Sequence, residues 1–156
     1  MKITDNFLYN NDYDHINKTF HLSNFPWYFM PFMVHEGDDN YQFYHLFEAK
    51  GQILSKYFEI LHPILKKLSV KEIIRIKANL KLKQKEHIQS DIHIDFKDCK
   101  TAIFYLNTNN GYTLFDKGDK IPSQENRVVE FDSNLKYCAL NQADFKYRIV
   151  INFNYL

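Results

Sequence analysis

The second half of the chain alternates apolar and polar side chains along several short segments. Residues 74–80 read Ile-Arg-Ile-Lys-Ala-Asn-Leu, and residues 101–107 and 147–155 show the same two-residue period. Because successive side chains of a β-strand point to opposite faces, this period predicts strands. Shorter runs rich in strand-forming residues predict further strands at 112–115, 127–131 and 135–140.

A different period precedes these strands. Between Phe43 and Leu65 the apolar residues recur at steps of three and four, which predicts a helix of about six turns. A helix followed by many short strands indicates an α+β fold, in which the strands form a jelly roll or sandwich and the helix covers one outer face. Asn-Asn-Gly at 109–111 predicts a hairpin turn, since these residues tolerate positive φ.

The first 41 residues carry weaker signals. Pro26 and Pro31 break any long element, so residues 1–34 are expected to form short strands and turns that place aromatic side chains on the core. Residues 35–41 predict a polar loop. His35 in that loop is a candidate metal ligand, although a histidine in contact with water is the simpler interpretation.

Composition limits the classes of function. The chain has 156 residues and no visible repeat or linker, which predicts a single domain, 1–156. Its formal net charge is +1, so charge alone gives no reason to expect a nucleic-acid or membrane partner. The basic stretch 66–85 is interpreted as a solvated helix and strand face. Cys99 and Cys138 lack metal or redox spacing, and no apolar run could span a membrane, so we expect a soluble cytoplasmic protein.

His93 and Asp95 are the first candidate site residues. They are two apart in a strand-like segment and should face the same space. An imidazole and a carboxylate, joined by a third group, form the facial triad of non-haem Fe(II) enzymes. The His-x-Asp pattern is unspecific by itself, because two polar residues on the solvent face of a strand would look the same.

Arg148 is the second candidate. In the segment 147–155, Ile149, Ile151 and Phe153 share one face, which suits contact with the helix. Arg148 is on the opposite face and would point into the interior. A buried arginine is costly unless it holds an anion, so Arg148 is a candidate carboxylate-binding residue.

Taken together and in order, these segments resemble the 2-oxoglutarate- and Fe(II)-dependent dioxygenases. The resemblance is to the prolyl 4-hydroxylase-like branch, which has small phage and bacterial members. The segments that carry it are Phe-Pro-Trp-Tyr at 25–28, Ile-Arg-Ile-Lys-Ala-Asn-Leu at 74–80, His-Ile-Asp-Phe at 93–96, Tyr-Leu-Asn at 105–107, Asn-Gly-Tyr-Thr at 110–113, Asn-Arg-Val-Val at 126–129, Phe-Asp-Ser at 131–133 and Arg-Ile-Val-Ile-Asn-Phe at 148–153.

The resemblance implies a double-stranded β-helix (a cupin-like jelly roll) with a supporting helix. It implies that His93 and Asp95 bind Fe(II), and that Arg148 and Tyr105 contact the distal carboxylate of 2-oxoglutarate, although Tyr105 could equally be a core aromatic. The implied reaction uses dioxygen and 2-oxoglutarate to hydroxylate a prolyl or other side chain of a peptide or protein. The implied location is the cytoplasm, which would be the host cytoplasm for a viral protein.

One position departs from the family pattern. The third iron ligand should be a histidine 11 residues before Arg148, but that position is Tyr137, and no histidine follows His93. Tyr137 could bind iron as a phenolate, Cys138 could do so if the register slips by one, or water could fill the place. Two functions therefore stay open. The presence of His93, Asp95, Tyr105 and Arg148 together favours an active dioxygenase, which is the function we expect, and loss of the third ligand favours a non-catalytic binding domain that keeps the fold.

Overall fold

The structure is a computed structural model that describes residues 1–33, 36 and 40–156, so His35 lies outside the described residues. Its helices are α1 (Asn10–Phe20), a 3-10 helix (Phe58–Leu61) and α2 (His62–Leu68). Its strands are β1 (Lys2–Thr4), β2 (Tyr28–Met30), β3 (Gln42–Ala49), β4 (Gln52–Ile53), β5 (Ile73–Leu82), β6 (Lys100–Tyr105), β7 (Tyr112–Phe115), β8 (Lys120–Pro122), β9 (Arg127–Asp132), β10 (Tyr137–Leu140) and β11 (Tyr147–Tyr155).

Two antiparallel sheets face each other across a cavity. The larger sheet has the strand order β1-β9-β6-β11-β5-β3-β2, with β4 paired to β3, and the smaller sheet has the order β10-β7-β8. The chain crosses repeatedly between the two sheets, which is the double-stranded β-helix that the resemblance implied. No helix in the described part of the chain is long and apolar enough to cross a membrane.

The predicted strands are confirmed where the two-residue period is clear. Strands β5, β7, β9 and β11 lie within a few residues of their predicted bounds. On β11 the alternation also predicted the faces correctly. Ile149, Ile151 and Phe153 belong to the main hydrophobic core, together with Ile16 of α1 and Ile64 of α2. Burial of this apolar face against the helices holds them to the sheet.

The predicted long helix over 43–65 is wrong. The structure has strand β3 over Gln42–Ala49, and only the 3-10 helix and α2 are helical in this region. A β-bulge between Leu46 and Glu48 interrupts the pairing of β3 with β5. The bulge breaks the two-residue period of β3, so its buried residues imitate helical spacing.

The first 34 residues contain a helix that the sequence prediction missed. Strands β1 and β2 are short, as expected, but Asn10–Phe20 is α1. Ile16 and Phe20 of α1 are buried, and Tyr13 packs against the same core. Their three- and four-residue spacing was the available signal, and the many Asn and Asp residues around them obscured it.

The segment 109–111 is not a hairpin turn. Strand β6 pairs with β9 and β11 in the larger sheet, whereas β7 pairs with β8 and β10 in the smaller one. The segment therefore carries the chain from one sheet to the other. Asp144 accepts hydrogen bonds from the backbone N–H of Asn110 at 3.0 and 3.1 Å, which fixes this crossing.

Candidate functional site

The cavity between the sheets has a volume of about 70 Å³ and contains the candidate residues His93, Asp95, Tyr137 and Arg148. Residues from both sheets line it. The described lining residues are Met33, Gln42, Arg75, Lys77, Asn79, Lys81, Ser90, His93, Asp95, Ile103, Thr113, Tyr137, Ala139, Arg148, Val150 and Asn152. Four of these are lysine or arginine and one is acidic, so the described lining is strongly basic and favours an anionic ligand.

The interpretation of 66–85 as a solvated face is wrong for strand β5. Arg75, Lys77 and Lys81 line the cavity, because the polar side of β5 faces inward between its neighbours β3 and β11. The alternation along β5 was visible in the sequence. It could not show that the polar face lies against a second sheet rather than water.

Asp95 is the acidic centre of the cavity. Its Oδ2 lies 2.8 Å from Nη2 of Arg75 and accepts a hydrogen bond from the hydroxyl of Tyr137 at 3.0 Å. Burial alone would raise the pKa of Asp95, but Arg75, His93, Tyr137 and Lys77 together hold that pKa below its ordinary value. Asp95 is therefore an anion whose charge is compensated by its protein neighbours.

His93 is oriented towards Asp95. Its Nδ1 lies 2.8 Å from the backbone carbonyl of Asp91, and a carbonyl can only accept, so Nδ1 carries a hydrogen. Its Nε2 lies 3.7 Å from Oδ1 of Asp95. Fixing one ring nitrogen on a backbone carbonyl is how proteins often prepare a histidine for a metal.

Tyr137 replaces the expected third ligand, and it lies beside the other two. Backbone hydrogen bonds of 2.9 and 3.0 Å pair it with His93, and its hydroxyl accepts from Nδ2 of Asn152 at 3.3 Å. Burial, and then the charge of Asp95, raise the pKa of Tyr137 well above its ordinary value. The phenol therefore stays protonated and acts as a hydrogen-bond donor to Asp95.

Cys138 does not face the cavity. Tyr137 and Ala139 on either side of it line the cavity, and Cys138 itself is fully buried on the other side of β10. A ligand role for Cys138 would need a register slip, but the pairing of β10 with β7 is regular from Tyr137 to Leu140. The structure does not support this alternative.

Arg148 lies in another part of the cavity wall and is 2% exposed. Its Nε donates to the hydroxyl of Ser123 at 2.7 Å, and its Nη2 lies 3.5 Å from the hydroxyl oxygen of Thr113. No carboxylate of the described residues forms an ion pair with it. Burial lowers the pKa of Arg148, but an arginine still keeps its proton. This charge lacks the anion that burial requires.

Gly111 makes room for the Arg148 side chain. A Cβ atom at position 111 would lie 2.9 Å from Cδ of Arg148, and equally close to Oδ1 of Asn109 and to the carbonyl of Leu140. These distances are too short for any side chain to fit without displacement. Glycine is required here because the crossing segment contacts Arg148. From the sequence, Gly111 indicated only a turn.

Tyr105 lies behind Arg148 and does not line the cavity. It is fully buried, its hydroxyl donates to Oγ1 of Thr113 at 2.8 Å, and the Arg148 guanidinium lies 5.7 Å from its ring centre. Thr113 does line the cavity. Because the oxygen of Thr113 accepts from Tyr105, its own hydrogen is free to be donated to a ligand. A direct contact of Tyr105 with a ligand stays a prediction.

The cavity fits the distal carboxylate of 2-oxoglutarate. Arg148 offers an uncompensated guanidinium, and Thr113 offers a hydroxyl beside it. Two buried amide oxygens on the cavity wall, Oδ1 of Asn79 and Oδ1 of Asn152, have no hydrogen-bond partner among the described residues, and as acceptors they call for a donor such as water and not for the carboxylate. Unsatisfied buried polar atoms are rare unless water or a ligand reaches them.

The residues do not fit the usual three-ligand iron site. His93 and Asp95 supply two donors, but the third position holds a protonated phenol that already donates to Asp95. No group of three or more His, Cys, Asp or Glu residues within the described ranges could hold a metal ion. Arg75 and Lys77 add positive charge near Asp95, which further disfavours a dication.

Comparison with known proteins agrees with the fold. Neither a scan against protein families nor a search of curated proteins finds a match for this chain. Solved structures do match. A prolyl hydroxylase from Trichoplax adhaerens, in complex with a hypoxia inducible factor oxygen degradation domain peptide, is 13% identical with a TM-score of 0.70, over 99% of this chain and 82% of that one.

Two further solved structures are similar. A 2OG-Fe(II) oxygenase family oxidoreductase from Burkholderia pseudomallei is 12% identical with a TM-score of 0.73, over 97% of this chain and 82% of that one. A prolyl-4-hydroxylase from Pseudomonas putida is 10% identical with a TM-score of 0.57, over 99% and 91%. This chain has the fold of prolyl hydroxylases and other 2-oxoglutarate-Fe(II) oxygenases, as its sequence resemblance predicted.

Proposed function

We propose that this protein binds 2-oxoglutarate in the cavity between its sheets and that Arg148 holds the distal carboxylate. One observation carries the proposal. Arg148 is 2% exposed, and within the described part of the chain it has no carboxylate partner. A guanidinium can donate two parallel hydrogen bonds to a carboxylate, and a bound dicarboxylate would supply the missing negative charge.

On this proposal the protein is a binding member of an oxygenase fold with an incomplete metal site. Tyr137 supports this view because its hydroxyl donates to Asp95 and stays protonated. Asp95 is compensated by Arg75 and Tyr137 and needs no metal ion for its charge.

Hydroxylation of a prolyl or other side chain of a peptide or protein is the second candidate function. The orientation of His93 favours it, because Nε2 faces Asp95 as in a metal-binding pair. A neighbour with the same fold is a prolyl hydroxylase in complex with a peptide. Fe(II) with 2-oxoglutarate and dioxygen would supply the oxidising chemistry, and His93 and Asp95 would be the protein ligands.

Titration calorimetry with 2-oxoglutarate in the presence of a chelator tests the first candidate. Wild type should bind, and Arg148→Met should lose at least about tenfold in affinity, since a hydrogen bond to a charged group contributes about 1.5–3 kcal/mol. Arg127→Met is the matched control, because Arg127 pairs with Asp5 and does not line the cavity. Absence of binding to wild type, or equal binding to Arg148→Met, would reject the proposal.

Succinate formation under Fe(II), dioxygen and 2-oxoglutarate separates the two candidates. The binding proposal predicts that wild type gives no succinate above Asp95→Ala. Succinate from wild type that disappears in Asp95→Ala would establish the oxygenase instead. The assay needs no knowledge of the peptide target if turnover without a target is measured over long times.

A further inference from the structure

Strand β5 presents a row of polar side chains to the cavity. Arg75, Lys77, Asn79 and Lys81 are two residues apart, so they share the inward face of the strand, and each lines the cavity. Of these, Arg75 has a clear structural role because it pairs with Asp95 at 2.8 Å. The role of Lys77, which lies next to Arg75 on the same face, is not explained by that pair.

Lys77 has no hydrogen-bond or ion-pair partner among the described residues. Its Nζ lies 6.0 Å from the ring centre of Tyr44, which is at most a weak cation-π contact. Asp95 acts on it only through its charge, since that carboxylate is bonded to Arg75 and Tyr137. The ammonium group is thus placed in the cavity without an anion of its own.

The environment of Lys77 makes an anion there favourable. Burial, and then the charge of Arg75, lower the pKa of Lys77 to about 8, while Asp95 acts in the opposite direction. A bound anion would offset the cost of keeping the ammonium charged in this partly dry position. The same reasoning applies to Arg148, so neither cation has an ion-pair partner among the described residues.

The strand register places these two cations along one cavity. On β11, Arg148 and Asn152 are four residues apart and face the same way, and Asn152 pairs directly with Lys77 on β5. Four strand residues span about 13 Å, and the long side chains of arginine and lysine can both reach into this gap. Because both side chains line the same cavity, one ligand with two carboxylates can contact both of them.

We propose that Lys77 holds the second carboxylate of the bound dicarboxylic acid, so that Lys77 and Arg148 together bind 2-oxoglutarate without a metal ion. The proposal deepens the proposed function and rests on it. In this arrangement the ammonium group of Lys77 compensates the negative charge of the second carboxylate, which a bound metal ion would otherwise do. The incomplete ligand set around Asp95 and the uncompensated lysine are then two aspects of one metal-independent site.

Two ligands and four proteins test the role of Lys77. The ligands are 2-oxoglutarate and 4-oxopentanoate, in which a methyl group replaces the carboxylate next to the keto group. The proteins are wild type, Lys77→Met, Lys77→Arg and Lys100→Met, each titrated with chelator present. Lys100 is an exposed lysine of β6 and serves as the matched control. Thermal unfolding of each variant checks that it is folded, and Lys77→Arg provides a second variant that keeps the charge.

We expect Lys77→Met to change the affinity for only one of the two ligands. Wild type and Lys100→Met should bind 2-oxoglutarate about tenfold or more tightly than 4-oxopentanoate. Lys77→Met should lose this preference by weakening 2-oxoglutarate alone, and Lys77→Arg should retain most of it. If Lys77→Met leaves 2-oxoglutarate binding unchanged, or if binding requires Mn(II), the role of Lys77 is refuted while the Arg148 site stands. If wild type binds no 2-oxoglutarate under any condition, the proposed function itself fails.

Discussion

The hydroxyl of Tyr137 donates a hydrogen bond to Oδ2 of Asp95 across 3.0 Å. The sequence resemblance led us to expect an iron-binding histidine at position 137, and the tyrosine found there is bonded to Asp95. Together with Arg75, it stabilises the ionised carboxylate. Because Asp95 is already bonded to Tyr137 and Arg75, the cavity is better suited to an organic anion than to a metal ion.

Restoring histidine at position 137 should create a metal site. Tyr137→His would remove the donor to Asp95 and supply an imidazole nitrogen as the third ligand beside His93 and Asp95. We expect Tyr137→His to bind Co(II) at least about tenfold more tightly than wild type, measured by the visible absorption of the bound ion. The control is Tyr137→Phe, which removes the hydroxyl without adding a ligand. Equal Co(II) affinity in wild type and Tyr137→His would contradict this account.

Tyr137→Phe should also destabilise the protein. The lost hydrogen bond goes to a charged group, for which about 1.5–3 kcal/mol is typical, and Asn152 loses the acceptor for its amide. Urea unfolding of wild type and Tyr137→Phe measures the difference in free energy of unfolding. A difference near zero would mean that the bond between Tyr137 and Asp95 does not stabilise the fold.

Arg148→Met, unlike Tyr137→Phe, should not destabilise the protein. It replaces a buried, uncompensated charge with an apolar side chain of similar length, so the free energy of unfolding should stay the same or rise. Ligand binding should be lost in the same variant. Urea unfolding without ligand gives the stability. A large destabilisation would indicate that Arg148 is a structural residue with a partner of its own.

Gly111→Ala should weaken ligand binding through Arg148. The added methyl group would lie 2.9 Å from Cδ of Arg148, so the arginine or the crossing segment must move. We expect at least a several-fold loss of 2-oxoglutarate affinity together with some loss of stability, since overpacking typically costs about 1–3 kcal/mol. Gly118→Ala tests the specificity of this effect, because Gly118 has positive φ but open space around it. Gly118→Ala should reduce stability and leave affinity unchanged.

Affinity for 2-oxoglutarate should fall as pH rises through about 8. Without ligand the pKa of Lys77 is about 8, and a bound carboxylate would raise it, so binding takes up a proton above this pH. Arg75 and Tyr137 hold the pKa of the nearby Asp95 below its ordinary value, so Asp95 stays ionised through this range. Calorimetric titrations between pH 6.5 and 9.5 measure the trend, which should be absent in Lys77→Met.

The unliganded protein should show the opposite trend in stability. The pKa of Lys77 is lower in the folded state than in the unfolded chain, so between about 8 and 10.4 the unfolded chain binds more protons. The contribution of Lys77 to the free energy of unfolding should therefore become more favourable as pH rises through this window. Comparing wild type with Lys77→Met by urea unfolding isolates this contribution from other titrating groups.

The sequence predicted the strands well and the helices poorly. Alternation specifies a strand wherever one face is buried, and β5 and β11 kept a clean alternation along their length. Strand β3 lost it at the bulge between Leu46 and Glu48, and its residues then imitated a helix. The segment forms a strand because it pairs with β5, and a local sequence pattern does not reveal which distant strand a segment will pair with.

Part of the candidate site was also predictable. His93, Asp95, Tyr137 and Arg148 line one cavity, although they come from distant parts of the chain. The position of Lys77 on the cavity wall was not predictable, because a basic residue on the polar face of a strand usually meets water. Whether that face meets water or a second sheet depends on the fold as a whole. The contacts of Ser123, Thr113 and Gly111 with Arg148 depend on how the chain crosses between the sheets.

A crystal structure of the metal-free protein with 2-oxoglutarate tests the central claim most directly. We predict density for the ligand in the cavity, with one carboxylate on Arg148 and Thr113, the other on Lys77, and the bond between Tyr137 and Asp95 intact. A ligand bound away from Arg148 would contradict this account. So would 2-oxoglutarate that appears only when a metal ion is bound to His93 and Asp95.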